Sequence, residues 1–212
     1  MKSLKTKNNS NLEIIFVGRS NVGKSSLIRC LTGRSVPTGR KPGLTRKPLN
    51  LELDDLTITD MPGFGFISGV EEKYINAVKD EIVHYIEENA DRIILGFVVV
   101  DAKSFLDIVN RWLNQGEIPV DLEMYDFLSD LAIDTKLLVN KIDKIRENRD
   151  ELLDAVGERF NMLPPWQQWL DTILPVSAKK KEIQPLQHVI RQKLVDIKKE
   201  RLLKYFSTKC FR

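Results

Sequence analysis

The segment Gly18–Ser26, GRSNVGKSS, limits the possible folds more than any other stretch. The apolar run EIIFVG precedes it and LIRCLTG follows it. That order reads as a buried strand, a tight loop and a helix that stops at Gly33. The pattern G-x-x-x-x-G-K-[ST] has a physical use in this setting. Gly18 and Gly23 let the backbone of Arg19, Ser20, Asn21 and Val22 turn its N–H groups toward an anion such as a nucleotide β-phosphate. Lys24 adds a cation for the β- and γ-phosphates, and Ser25 a hydroxyl for Mg²⁺. The helix that continues through Ser26 adds its positive N-terminal end. Such a loop needs a strand behind it and a helix ahead of it.

The remaining chain repeats that alternation. Strands are expected at Glu13–Val17, Asn50–Leu53, Leu56–Thr59, Ile93–Val100, Lys136–Val139 and Thr172–Val176. Asp54 and Asp55 make a tight turn, so the second and third strands should form an antiparallel hairpin. The run IILGFVVV is continuously apolar, as in a strand covered on both faces. Helices are expected at Lys24–Thr32, Glu71–Asn89, Ser104–Asn114, Leu122–Leu131, Arg146–Phe160 and Ile183–Lys204. The second puts Ile75, Val78, Ile82 and Ile86 on one stripe; the last turns Ile183, Leu186, Ile190, Leu194 and Ile197 inward. The pattern predicts a three-layer α/β fold with a six-stranded, mostly parallel sheet and one antiparallel edge strand. Ligands of such sheets bind beyond the carboxyl ends of the strands.

Three more motifs sit at those ends. In DMPGFG, Asp60 can hold Mg²⁺ through a water, and beyond Met61 and Pro62 the backbone N–H of Gly63 can sense a γ-phosphate. In NKID, Asn140–Asp143, the aspartate can accept from the guanine N1–H and 2-amino groups, a donor pair that adenine lacks. Asn140 would meet the guanine edge at O6 or N7 and tie neighbouring loops together. The stem of Lys141 would pack on the base, and Ile142 belongs to the same nucleotide-binding stretch. In VSAK, Val176, Ser177 and Ala178 lead to Lys179, and the N–H of Ala178 could donate to guanine O6.

Length and charge set further bounds. The 212 residues suit one sizeable core. No apolar run approaches the roughly 20 residues that cross a bilayer, and MKSLKTKNNSN lacks an apolar segment after its lysines. A cytoplasmic location without membrane contact is expected. The two cysteines, Cys30 and Cys210, are too few for a disulfide framework or a zinc site, and Cys30 reads as a buried small hydrophobe. His84 and His188 lie on helical patterns and read as structural or solvated residues. Residues 1–47 carry a net charge of +10, residues 48–178 of −15 and residues 179–212 of +8. Basic ends around an acidic middle suit a polyanionic partner on one face. The tryptophans of PPWQQW, Pro164–Trp169, could cap the core or meet a partner, and capping is the favoured expectation.

Four motifs in this order resemble a translation-factor-class GTPase. Within that class, GRSNVGKSS, PGLTRK (Pro42–Lys47) and DMPGFGF are similar to the EngB family, over nearly the whole chain. The resemblance implies a P-loop GTPase fold, binding of GTP and GDP with Mg²⁺, and a role in large ribosomal subunit assembly, so ribosomal RNA or a ribosomal subunit is the expected partner. Cell division and septation are also associated with the family. It further places Thr45 on Mg²⁺ beside Ser25 and Asp60, and Gly43, Leu44, Thr45, Arg46 and Lys47 near the γ-phosphate. Bacterial members carry Thr-Lys-x-Asp in place of NKID, and Lys103–Val120 is longer than their equivalent segment. Both features suggest an archaeal-type member. Residues 12–205 are expected to be one G domain, between a basic N-terminus (1–11) and a tail (206–212). A monomer is expected.

Many such enzymes orient the attacking water with a Gln just after D-x-x-G. Phe64 stands there, so turnover should be slow. Lys24, Thr45, Gly63 and Asn21 are the candidate catalytic groups. Asn21 is a candidate K⁺ ligand, because related GTPases use an Asn there, and K⁺ near the phosphates would stabilise transition-state charge. A partner could instead supply the missing group. Arg40, Lys41, Arg46 and Lys47 more naturally face a phosphate backbone, together with the basic C-terminal helix. GTP would order Thr38–Lys47 and Met61–Gly69, and hydrolysis would release both. A second reading is a GTP/GDP-sensing module for a division protein, with hydrolysis incidental. A third, a small-molecule phosphotransferase, has no need of guanine-selecting motifs.

Overall fold

A computed structural model describes residues 11–34, 47–64 and 72–206, with the side chains of 72–76 left out of that description. Strands β1 (Leu12–Gly18), β2 (Leu49–Leu53), β3 (Leu56–Asp60), β4 (Ile93–Asp101), β5 (Thr135–Asn140) and β6 (Ile173–Pro175) form one sheet in the order β2-β3-β1-β4-β5-β6. Only β2 runs antiparallel, paired to β3 from Leu49↔Asp60 to Leu53↔Leu56. All other pairs are parallel. Each expected strand is present, with bounds that differ by one or two residues.

Strand side chains alternate between two cores. Ile14 and Phe16 of β1, with Leu95, Phe97 and Val99 of β4, pack under α1 (Lys24–Thr32) and α6 (Gln184–Asp196). Ile15, Val17, Val98 and Val100 pack on the other face. That face carries α2 (Glu72–Asn89), α3 (Phe105–Asn114), α4 (Val120–Asp130) and α5 (Arg149–Arg159). Burial on both faces explains why β4 reads as an unbroken apolar run. Of the α2 stripe, Val78, Ile82 and Ile86 are buried; the side chain of Ile75 lies outside the description. The segment Lys103–Val120 folds as α3 and the loop to α4, and Phe105 stacks on Phe160 at 5.5 Å between centroids.

Two helices depart from expectation. α5 begins at Arg149 rather than Arg146, because Asn148 takes a left-handed conformation (φ 54°) that sets the entry turn. α6 ends at Asp196, not Lys204. Lys198 is left-handed at φ 58°, with Lys198 N donating to Val195 O (2.9 Å) and Lys199 N to Leu194 O (2.7 Å). This is a Schellman stop made without glycine. Beyond it, a 3-10 segment, Glu200–Tyr205, turns back to the β2–β3 hairpin. Lys199 and Arg201 reach Asp55 (2.8 and 2.5 Å), Lys204 reaches Asp54 (2.8 Å), and Leu202 and Phe206 enter the core. A straight helix would have carried those apolar groups into water.

At the opposite end of the sheet from the phosphate loop, Glu13 is fully buried. It accepts from Thr59 Oγ1 and from Tyr85 OH (2.7 Å), and Arg92 Nη2 lies 2.9 Å from Oε2. This network fixes the C-terminal end of α2 to β1 and β3. Trp166 and Trp169 are half-buried against the core, as expected; Trp166 donates to Asp150 Oδ1 (2.8 Å) and Trp169 to Leu163 O (2.9 Å). Among the described residues, no helix is long and apolar enough to cross a membrane.

Candidate nucleotide site

The loop after β1 and the ends of β3, β4, β5 and β6 meet at one edge of the sheet. Lys24 is 7% exposed. Its ammonium donates to Gly18 O (2.8 Å) and Arg19 O (3.1 Å), which leaves one of its three N–H groups unassigned. Burial draws that ammonium down to about 8, against the pull of Asp60 and Asp121. Ser25 Oγ donates to Asp60 Oδ2 at the end of β3. Burial pushes the Asp60 carboxyl up, while Lys24 and Ser25 hold it down. Thus two hard oxygen donors and a cation lie together.

The start of the D-x-x-G segment packs on the phosphate loop. Met61 N donates to Phe16 O (3.0 Å) and Ser20 N to Phe64 O (3.1 Å). A Cβ on Gly63 would sit 2.7 Å from Ser20 Oγ and 2.8 Å from Ser20 Cα, so only glycine fits there. Pro62 is buried, and the Phe64 ring is directed into the core at 1% exposed. Of the expected switch residues, Gly43, Leu44, Thr45 and Arg46 lie outside the described residues, as do Arg40, Lys41 and Gly65–Gly69; Lys47 is exposed.

The other end of the site is held by one amide. Asn140, 1% exposed, donates from Nδ2 to Val22 O (2.8 Å) and accepts at Oδ1 from Ala178 N (3.2 Å). The side chain therefore joins the first, fifth and sixth strand ends. The expected tie is present, and it occupies both the Asn140 amide and the Ala178 N–H that the sequence pointed at guanine. Gly23 has φ 105°, and a Cβ there would collide with the Asn140 amide. Lys141 (φ 64°) lays its ammonium on Asn21 O (2.6 Å) and Asp101 Oδ2 (2.6 Å), so its stem crosses the mouth of the site. Ile142 is buried. Asp143 accepts from Ser177 Oγ at 2.5 Å, and this bond draws its carboxyl below the ordinary value. It is thus an ionised acceptor at neutral pH. Val176 is in the core, and its carbonyl accepts from Ile142 N (3.2 Å).

A cavity of about 420 Å³ opens between these groups, lined by Gly23, Asn140, Lys141, Ala178 and the outer face of α1. Arg29 and Cys30 line it too, which the sequence reading missed. Cys30 is half-buried rather than enclosed, because its helical face looks onto the cavity. The signal was available: Ser26, Arg29, Cys30 and Gly33 recur three and four apart from the phosphate loop onward. His84 and His188 are exposed, and His84 Nε2 lies 3.2 Å from Glu88 Oε1. Among the described residues no cluster of three His, Cys, Asp or Glu side chains could hold a metal.

A phosphate-type loop on the central strand, joined through Asn140 to a cavity at the fifth and sixth strand ends, defines a P-loop GTPase. The comparisons agree. A family model described as a 50S ribosome-binding GTPase matches residues 13–141. A probable GTP-binding protein EngB of Methanosarcina mazei is 50% identical over 208 residues, covering 97% of this chain and 100% of that protein. One of Methanopyrus kandleri is 52% identical over 174 residues, covering 80% and 85%. A crystal structure of a probable GTP-binding protein EngB superposes with a TM-score of 0.78 at 44% identity, covering 87% of this chain and 99% of that one. The chain belongs to the EngB family of GTP-binding proteins, and its Methanosarcina and Methanopyrus relatives come from archaea.

Proposed function

We propose that this chain is a slow, Mg²⁺-dependent GTP hydrolase that switches state during large ribosomal subunit assembly. It would act in the cytoplasm as a monomer, with one G domain over residues 12–205. The observation that carries guanine selection is the ionised Asp143, held by Ser177 next to the Asn140 tie. Gly18 through Ser26 would cradle the phosphates, with Lys24 opposite their charge. The donor set fits Mg²⁺, which prefers hard oxygens: Ser25 Oγ and Asp60 Oδ2 already meet. Bound there, the ion would neutralise phosphate charge; Thr45 is its proposed third contact. Gly63, packed directly on Ser20, would report the γ-phosphate through its N–H.

The burial of Phe64 supports a low basal rate, since no side chain at that position reaches a water. Two sources of acceleration fit the chain: K⁺ beside Asn21, whose side chain is exposed on the loop, or a ribosomal partner. The net charge of +10 over residues 1–47 supports contact with ribosomal RNA, as does the description of the matching family model. Lys199, Arg201 and Lys204 are already paired with Asp54 and Asp55, so the C-terminal segment contributes less to that contact than its charge suggests.

The test is co-sedimentation with purified archaeal 50S subunits in GTP, GDP and no nucleotide, across a salt series. Binding in one nucleotide state only, with a steep salt slope, is the expected result. Tight GTP binding with no subunit association at any salt would remove the ribosomal role and favour a protein partner. Single-turnover hydrolysis in KCl and NaCl, with Asn21→Ala alongside, separates the two sources of acceleration.

A further inference from the structure

Arg19 is the second residue of the phosphate loop, and its side chain does not face the cavity. Its Nε donates to Asp121 Oδ2 at 2.6 Å, and its guanidinium lies 5.6 Å from the centroid of the Trp112 ring. Its own carbonyl accepts from Lys24 Nζ at 3.1 Å. Asp121 is 1% exposed, in the first turn of α4 just after Pro119. The pair thus joins the phosphate loop to the far side of the sheet. It is also incomplete: neither Arg19 Nη2 nor Asp121 Oδ1 has a hydrogen-bond partner.

Buried ion pairs contribute little to stability unless every remaining donor and acceptor is satisfied. This pair fails that condition, so stability does not account for it. Its position does. Asp121 holds the side chain of the residue whose carbonyl accepts from Lys24 Nζ, which places the carboxylate close to the phosphate-binding ammonium. Burial pushes its carboxyl up, and Arg19 holds it down in the charged form. A buried negative charge there repels bound phosphates in a medium of low dielectric, and a triphosphate more than a diphosphate. Arg19 covers that charge, and the Trp112 face holds the guanidinium in place.

We infer that Asp121 and Arg19 are specificity-determining residues that set the preference of the site for GTP over GDP through the balance of their buried charges. The inference rests on the reading of this loop as a guanine-nucleotide site. It goes beyond that reading by assigning a role to a pair outside the four motifs.

The experiment titrates full-length protein with GTP and with GDP, in Mg²⁺, and follows the ratio of the two affinities. Asp121→Asn removes the repelling charge and should shift the ratio toward GTP by about threefold or more. Arg19→Met removes the covering cation and should shift the ratio toward GDP, by no more than about tenfold because burial favours the neutral carboxyl. Arg19→Lys keeps the charge and should stay within about twofold of wild type, as should Arg19→Met combined with Asp121→Asn. A pair that merely fastens α4 would lower the melting temperature and leave the ratio unchanged, which would overturn the inference. Should Arg19→Met fail to fold, Asp121→Asn and Arg19→Lys decide the question by themselves. Wild-type protein that binds neither nucleotide would instead overturn the reading of the site, and the inference with it.

Discussion

The two ends of the nucleotide site are built from different materials. The base end is tied together by neutral groups, the Asn140 amide, the Val22 carbonyl and the Ala178 N–H, with the ionised Asp143 beside them. The phosphate end rests on charges held in a buried place: Lys24, Asp60, Arg19 and Asp121. Neutral amide bonds do not change their protonation with pH. Buried charges shift their protonation with every change nearby. The first end is therefore expected to fix geometry, and the second to respond to a bound nucleotide.

Four experiments would break or sharpen that contrast. The largest effect is expected for Lys24→Ala, which removes the ammonium that opposes the phosphates. GTP and GDP affinity should both fall by about 100-fold, read by calorimetric titration. Next is Asn140→Ala, which orphans the Val22 carbonyl and the Ala178 N–H. A loss of about 2 kcal/mol in unfolding free energy is expected, together with an equal weakening of GTP and GDP. Unequal weakening would mean that the tie also reads the phosphates.

The third experiment uses pH. The Lys24 ammonium titrates at about 8 in the fold against 10.5 in the unfolded chain. Below 8 both states are protonated, and the cost of burying the charge is fully present. Between about 8 and 10.5 the unfolded chain holds the extra proton, so this group's contribution to stability rises with pH. Binding of phosphate favours the charged form, so GTP affinity should fall above about pH 8, by up to about tenfold per unit. Melting temperature and affinity should thus move in opposite directions, while Asn140→Ala should show its stability loss at every pH.

The smallest effect concerns a charged contact away from the site. Asp55 is held at about 2, chiefly by its hydrogen bond from Lys199. Its stabilising contribution is present above 3.8 and lost as pH falls toward 2. Because the contact is open to solvent, Asp55→Asn should cost under about 1 kcal/mol at neutral pH and leave nucleotide binding intact. Equilibrium denaturation is the measurement.

Much of this was legible in the sequence, for local reasons. The strand ends carry GRSNVGKS, NKID and VSAK next to apolar runs, so motif and element confirm each other. The β2–β3 hairpin follows from Asp54-Asp55. What was hidden is long-range or lacks punctuation. Nothing near Asp121 announces that it will meet Arg19, since the contact spans 102 residues. Glu13, Tyr85 and Arg92 likewise sit in unrelated patterns. The end of α6 carries no glycine or proline, and only the tertiary pull of Leu202, Phe206 and the hairpin carboxylates explains why Lys198 turns.

The Asn140–Val22 bond joins residues 118 apart. During synthesis, residues 18–25 emerge long before residues 140–143, and Ala178 later still. A nascent chain therefore carries its phosphate loop without the means to recognise a base. On the proposed reading of the site, guanine nucleotide would bind the finished chain alone, and by mass action it would favour completed molecules over partial ones. The cell's GTP pool would in that way weight the last step of this protein's own maturation.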